Sequence, residues 1–288
     1  MKVDFFIVGA PKAGTTSLYY YLSEHPEIEM SRKKETNFFS NHSIQRQFLY
    51  YNSECIDTED LYHSLFKKKK RVKYGEASVS YLYYNDVPLK IKEYNSDGKI
   101  IIMLRDLADR AFSHYQMDFR LGLVNEKLED IIDNRERNKK SQLFYQQYIE
   151  LSMYYNQVKN YIDTFGRENI HIIFYEDFKS NIELVVKDIY DFLEVEKNFV
   201  PELDRIHNIS FTPRNNLFRM LYKWSAIRKF LRLLIPKKNI NNIKNNLIGS
   251  KVNPKLSIKL RQKMNRLFLN DIQLLEDLLS KDLSLWKK

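Results

Sequence analysis

The sequence predicts an α/β protein: a central, mostly parallel sheet flanked by helices in three layers, with a helical extension at the C-terminus. Three observations carry that expectation. Short apolar runs end abruptly in a glycine or a charged residue, as buried parallel strands do. Each run is separated from the next by segments of helical length and periodicity, the alternation that builds parallel sheets. Beyond residue 200 the strand signal stops and helical spacing alone remains.

In chain order, Val3 to Val8 (VDFFIV) is a short, largely apolar strand closed by Gly9. Thr15 to Leu22 reads as the helix behind it, ended by Ser23-Glu24-His25-Pro26. Lys99 to Arg105 (KIIIMLR) is a second strand, running directly into the helical stretch Asp106 to Gly122. Asn169 to Phe178 is a third, placed between a long helix from Gln142 to Phe165 and another from Asn181 to Leu193. A shorter strand is expected within Arg71 to Tyr84, and Leu65 to Lys73 (LFKKKKRVK) reads as a solvated loop. Farther on, Leu217, Met220, Trp224, Ile227, Leu231 and Leu234 recur at helical spacing. An Asn-rich loop follows, and then a final helix from Leu256 to Leu279, whose Leu260, Met264, Leu267, Ile272, Leu275 and Leu279 form a docking stripe. The chain is therefore expected to be one domain, with an α/β core over 1–200 and a basic helical part over 201–288.

The 288 residues are 43% apolar, enough for a substantial core. No run of about 18 or more uncharged apolar residues is present, and the N-terminus lacks a signal-peptide pattern, so the chain reads as soluble and unexported. The single cysteine, Cys55, excludes intrachain disulfides and CxxC metal sites. The net charge of +10 is uneven: Arg205 to Asn270 holds sixteen Lys or Arg and no Asp or Glu, leaving the remainder at −6. Such a block suits a polyanion, whether an acidic glycan, an anionic membrane surface or nucleic acid. No DNA- or RNA-binding motif accompanies it, so no nucleic-acid partner is expected.

The stretch Gly9-Ala10-Pro11-Lys12-Ala13-Gly14 keeps the glycine spacing of a Walker A phosphate loop, but Thr15 occupies the lysine position and Lys12 lies inside the loop. A strand, a glycine turn and a helix N-terminus still offer free amides and the positive end of a helix dipole to one anion. Thr15, Thr16 and Ser17 add hydroxyls, and Lys12 adds a cation. The loop thus reads as a P-loop-like grip on a single phosphate, with no evident magnesium requirement.

PKAGTTSL after an apolar strand resembles the 5′-phosphosulfate loop of sulfotransferases that use 3′-phosphoadenosine 5′-phosphosulfate (PAPS), in the form carried by carbohydrate and heparan sulfate sulfotransferases. LRDLADRAFSHY is similar to that family's RDPxxRAxS segment, with Leu107 in place of the usual proline. YGEASVSYLY resembles its GExSPxYL segment, and the C-terminal residues resemble its usual ending, so the likeness spans nearly the whole chain. It implies that Lys12, Ala13, Gly14, Thr15, Thr16 and Ser17 hold the 5′-phosphate, that Arg105 and Ser113 hold the 3′-phosphate, and that Arg214 is a further ligand of it. SRKKETNFF resembles the segment carrying the family's general base, which implies Glu35 as the base. Lys12 is implied as the cation that stabilises the leaving group, and Lys33, Lys34 and Glu76 as acceptor-binding residues. In the heparan sulfate enzymes a lysine stands where this chain has Ala77, so that lysine's substrate contact does not carry over. His25 and His114 are the alternative bases, and a structural ion pair of Arg105 with Asp106 or Asp109 is the alternative for the arginine.

The resemblance implies a PAPS-dependent transferase acting on a hydroxyl of a glycan, polysaccharide or glycolipid, with no metal. The composition and the lack of an anchor fit a bacterial cytoplasmic enzyme, or one peripheral at an anionic membrane. Two alternatives stand beside it: a P-loop-type nucleoside or small-molecule kinase, and a polyanion-binding protein that uses residues 205–270.

Overall fold

The computed structural model describes residues 1–51, 54–133, 136–203 and 256–288. Five strands form one sheet: β1 (Phe5–Gly9), β2 (Ile28–Met30), β3 (Lys73–Ala77), β4 (Lys99–Leu104) and β5 (Ile170–Phe174). Their order is β2-β3-β1-β4-β5, and every pairing is parallel. All carboxyl ends therefore lie on one edge, and the chain reverses direction across the sheet at β1, between β3 and β4. Open parallel sheets bind ligands in the crevice outside such a switch point. β1 and nearly all of β4 are buried on both faces, which accounts for their unbroken apolar sequences. Gly75 is required where β3 crosses β1, because a Cβ there would lie 2.1 Å from the ring of Phe5.

The helices are α1 (Thr15–Glu24), α2 (Asn41–Gln47), α3 (Glu59–Ser64), α4 (Val87–Tyr94), α5 (Leu107–Arg120), α6 (Leu128–Asp133), α7 (Lys139–Tyr148), α8 (Tyr154–Phe165), α9 (Tyr175–Ser180), α10 (Ile182–Leu193) and α11 (Ile258–Leu279). On one face of the sheet α1 packs with α10, and α4 packs with α8 on the other. That division follows from right-handed crossovers running outward in opposite directions from β1. Asp106, Asn138, Asn181 and Ser257 cap α5, α7, α10 and α11 with their side chains.

Two expectations need correcting. The helix expected from Gln142 to Phe165 is two helices, α7 and α8, separated by a single 3₁₀ turn over Glu150–Ser152. The break has a cause on α5. Arg110 has no exposed surface, and its Nη1 donates to the carbonyls of Gln147 (2.8 Å) and Tyr148 (3.3 Å) and to Ser152 Oγ (3.1 Å). Asp271 of α11 then accepts the free amide of Tyr154 at the start of α8 (2.7 Å). The strand expected to reach Phe178 stops at Phe174, and Tyr175 onward winds into α9, with Glu176 and Asp177 favouring its positive end. The shorter strand expected within Arg71 to Tyr84 is present as Lys73–Ala77, and the three-residue β2 carried too little pattern to be foreseen.

α11 docks as its stripe requires: Leu260, Met264, Ile272 and Leu275 are buried, joined by Phe268, against α8 and α5. The helix expected over Leu217 to Leu234 and the Asn-rich loop after it lie outside the described residues. Among the described residues, no helix is long and apolar enough to cross a membrane.

Arg110 also donates from Nε to the carbonyl of Pro11 (3.1 Å), so one side chain joins the loop after β1 to the α7–α8 break. Arg110→Met leaves these buried acceptors without a donor, a loss of roughly 3–5 kcal/mol. Urea unfolding of wild type and variant should show that loss as a lower midpoint with an unchanged slope.

Candidate active site

The loop between β1 and α1 is shaped by two glycines. A Cβ on Gly9 would sit 2.7 Å from Leu82 Cβ, and Gly14 has φ 97°, a conformation that side chains disfavour. Lys12 also lies in the left-handed region, at φ 71°. Among the described residues, the backbone amides of Lys12, Gly14, Thr15 and Thr16 have no acceptor, and the hydroxyls of Thr15, Thr16 and Ser17 have no partner. Ala13 is buried, with its amide turned back to the carbonyl of Ala10 (3.3 Å). Four unmatched amides at a helix N-terminus form a concavity for an anion.

Two cations face that concavity. Lys12 reaches toward α5, with Nζ 3.4 Å from Met117 Sδ. Burial, with Arg120 and Arg110 nearby, draws its pKa down to about 8 against the opposing pull of Asp118. Arg105 follows β4, donates from Nη1 to the Lys12 carbonyl (3.2 Å) and stacks on the ring of Tyr175 at 4.7 Å. Its Nε is buried without a partner. The structural ion pair weighed for Arg105 is made by another residue: Arg261 of α11 takes both Asp106 (3.2 Å) and Asp109. Arg105 is thus left with an unmet buried donor beside the loop after β1, which fits a ligand carrying a second phosphate. Ser113 is half-buried on the same α5, and Arg214 lies outside the described residues.

A second edge of the crevice comes from the chain after β2. Glu35, at φ 60°, donates its amide to the Ala77 carbonyl (2.8 Å). Its Oε2 accepts the Val79 amide (2.9 Å), and its Oε1 pairs with Lys34. The side chain remains about a third exposed, at 35%. Lys33 points away, toward Glu54 at 3.6 Å. Glu76 differs from these half-buried neighbours. It has no accessible surface, and its Oε1 accepts the hydroxyls of Thr36 (2.8 Å) and Ser78 (2.5 Å), while Oε2 has no partner. Burial pushes its pKa up to about 7, although those hydroxyls favour the charged form. Glu76 therefore meets the strap that carries Glu35 from beneath.

Neither histidine faces the crevice. His25 is buried at the far edge of the sheet, accepting the Glu27 amide at Nδ1 and donating from Nε2 to the Glu196 carbonyl (2.7 Å). His114 is buried against Arg110 (2.8 Å), and burial with that guanidinium holds its pKa well below the usual range. The sequence reading missed the polar cluster under Lys12. Asp118 is buried and accepts the hydroxyls of Tyr50 (2.5 Å) and Tyr148 (2.9 Å). Tyr51 lies between this cluster and Glu35 and feels the charge of both. Arg110, His114 and Asp118 recur every fourth residue on one face of α5, a pattern that could have marked them.

A parallel sheet whose central strand feeds an amide-lined loop, with two cations at the same edge, defines an α/β protein with a cradle that fits an anion. A family model described as the sulfotransferase domain matches residues 2–269, and the chain belongs to that family. Among solved structures it is similar to a sulfotransferase from Alicyclobacillus acidocaldarius, at 30% identity and a TM-score of 0.75, with all of both chains covered. Among curated proteins it is similar to a membrane-associated sulfotransferase of Dictyostelium discoideum, at 23% identity over 74% of this chain and 58% of that one. Carbohydrate sulfotransferase 15 of Rattus norvegicus is 24% identical over 66% of this chain and 43% of that one. The chain thus spans about half the length of these curated relatives.

The buried Glu76 sets a pH dependence. Its folded pKa of about 7 exceeds the ordinary 4.5, so the folded state holds the proton more tightly. That contribution is complete below about 4.5 and is lost as pH rises through 7. Glu76→Gln should therefore gain stability relative to wild type across that interval, by roughly 3 kcal/mol at pH 8. Denaturant midpoints of both proteins between pH 4 and pH 8.5 check this, and a constant difference would refute it.

Proposed function

We propose that this sulfotransferase takes its sulfuryl group from PAPS and delivers it to a hydroxyl of a carbohydrate acceptor: a glycan, polysaccharide or glycolipid. One observation carries the reading. A four-amide anion cradle, Lys12, and an Arg105 with an unmet buried donor share the β1/β4 switch point, while Glu35 stands on the neighbouring edge. The cradle fits one phosphate and Arg105 a second, as a 3′,5′-bisphosphate requires. The loop lacks the lysine that a triphosphate grip uses. Membership of the sulfotransferase family sets the kinase alternative aside.

In this reading the amides of Gly14, Thr15 and Thr16, with the adjoining hydroxyls, bind the 5′-phosphate, and Arg105 with Ser113 binds the 3′-phosphate. Arg214 remains a candidate third ligand. The donor supplies an activated sulfuryl group whose bond to the 5′-phosphate breaks as a bond to the acceptor oxygen forms. Lys12 neutralises charge on the oxygen left behind on the phosphate. Glu35, oriented by the Val79 amide and the Lys34 ammonium, takes the proton of the acceptor hydroxyl. Lys34 lines the acceptor side, Lys33 is turned to Glu54, and Glu76 acts through the strap beneath them. A cytoplasmic or membrane-peripheral location accompanies this reading on sequence grounds alone. The likeness to a carbohydrate sulfotransferase supports the acceptor class.

Calorimetric titration with 3′-phosphoadenosine 5′-phosphate (PAP) in the absence of magnesium tests the donor site. Wild type should bind PAP in preference to ATP, and Arg105→Ala should weaken binding roughly ten- to a hundredfold, as loss of a charged hydrogen bond does. PAP affinity should fall above pH 8, where Lys12 loses its proton, and Lys12→Ala should remove that step. Preference for ATP would refute the reading. Once an acceptor is in hand, Glu35→Gln should lower kcat about a hundred- to ten-thousandfold while leaving PAP binding intact.

A further inference from the structure

A cleft of about 430 Å³ opens between α2 and α7. That volume is within the range of small-ligand sites, which are usually mostly apolar. Here the lining is the reverse. Leu143 is its one apolar side chain; Gln47, Gln142 and Gln146 form the middle, with Arg46 and Lys139 beside them and Glu150 completing the wall. Such walls disfavour an apolar alcohol and suit a ligand rich in hydroxyls, because an amide can both donate to and accept from each one.

Two of the amides are already held in place. Gln146 Nε2 donates to Tyr83 Oη (2.9 Å), leaving its Oε1 free, and Gln47 Oε1 accepts from Tyr84 Oη (2.9 Å), leaving its two N–H donors free. Glu150 accepts the Tyr83 hydroxyl at Oε2 (2.9 Å), which fixes its carboxylate in the wall on the side of Tyr83. Arg46 and Lys139, from facing helices, have no carboxylate partner among the described residues. Lys139 lies over the ring of Phe48 at 5.3 Å, and that ring is 75% exposed. The cleft therefore combines fixed amides with two cations that lack a carboxylate partner among the described residues, the groups that hydroxyls and a carboxylate each require.

It is also joined to the proposed chemistry by two short paths. The turn after β3 carries Val79, which holds Glu35, and then Tyr83 and Tyr84, which hold the cleft amides. Gln147, the neighbour of Gln146, accepts at Oε1 from Tyr51 Oη (3.3 Å), and its carbonyl is bound by Arg110, which also binds the loop at Pro11.

We propose that the α2–α7 cleft is the acceptor subsite, and that it takes an acidic, polyhydroxylated saccharide whose anionic group lies between Arg46 and Lys139. This rests on the sulfotransferase reading above and names its substrate class. Calorimetry with an unsulfated tetrasaccharide containing two uronic acids, with maltotetraose as the neutral control and 1-naphthol as the apolar one, tests it on the full chain. The acidic tetrasaccharide should bind at least tenfold more tightly than maltotetraose. The double variant Arg46→Glu, Lys139→Glu should abolish that difference while PAP affinity stays at the wild-type value. Equal binding of the two saccharides, tighter binding of 1-naphthol, or insensitivity to the charge reversal would overturn the subsite. Failure of wild type to bind PAP would instead overturn the donor reading, so the two failures are distinct.

Discussion

The site depends on a buried arginine that is bound chiefly by backbone carbonyls. Arg110 gathers the carbonyls of Pro11, Gln147 and Tyr148 around one guanidinium on α5. Three segments far apart in sequence are thereby held in register: the loop after β1, α5, and the α7–α8 break. A buried cation without a carboxylate is expensive unless its donors are met, and here protein acceptors meet them. Desolvation still lowers its pKa to about 10, so the site places strong positive charge in a poorly solvated region. An incoming polyanion would relieve that condition, as would the neighbouring Asp118.

Around this joint the crevice divides its work. The β1/β4 side offers amides and cations, with Asp106 and Asp109 occupied by Arg261 of α11 and Glu176 and Asp177 exposed at the start of α9. The β2/β3 side presents a carboxylate, Glu35, on a strap whose underside is a closed hydroxyl network: Thr36, Ser78 and Tyr81 around Glu76. In the proposed reading, an anion grip and a base on opposite sides of the switch point would keep Glu35 from repelling the donor's phosphates. α11 contributes to both sides of the fold, through Arg261 at the start of α5 and Asp271 at the start of α8. Burial pushes the Asp271 carboxyl up to about 6, another sign that this helix is seated in the core.

Much of this was legible in the sequence, and the reasons differ by element. The placement of the loop and Arg105 could be read because it depends on local spacing: glycines around a lysine, and an arginine at the end of an apolar strand. β1, β4 and the stripe of α11 could be read because burial on both faces or on one stripe leaves a periodicity. The α7–α8 break could not, since its cause is a side chain more than thirty positions upstream and the local sequence remains a good helix former. The burial of Glu76 was equally hidden: a glutamate near the end of a short strand looks the same in sequence whether it faces the crevice or the core. Tyr51 and the Asp118 cluster were missed because they gain meaning only where α5, α7 and the chain after α2 converge.

Amide NMR on labelled protein tests the central claim most directly: the loop amides and the Arg105 Nε–H together form the donor site. On addition of PAP without magnesium, the resonances of Gly14, Thr15, Thr16 and the Arg105 side chain should shift together with one saturation curve. Shifts confined to other surfaces, or a loop that responds to ATP and magnesium but not to PAP, would contradict the account.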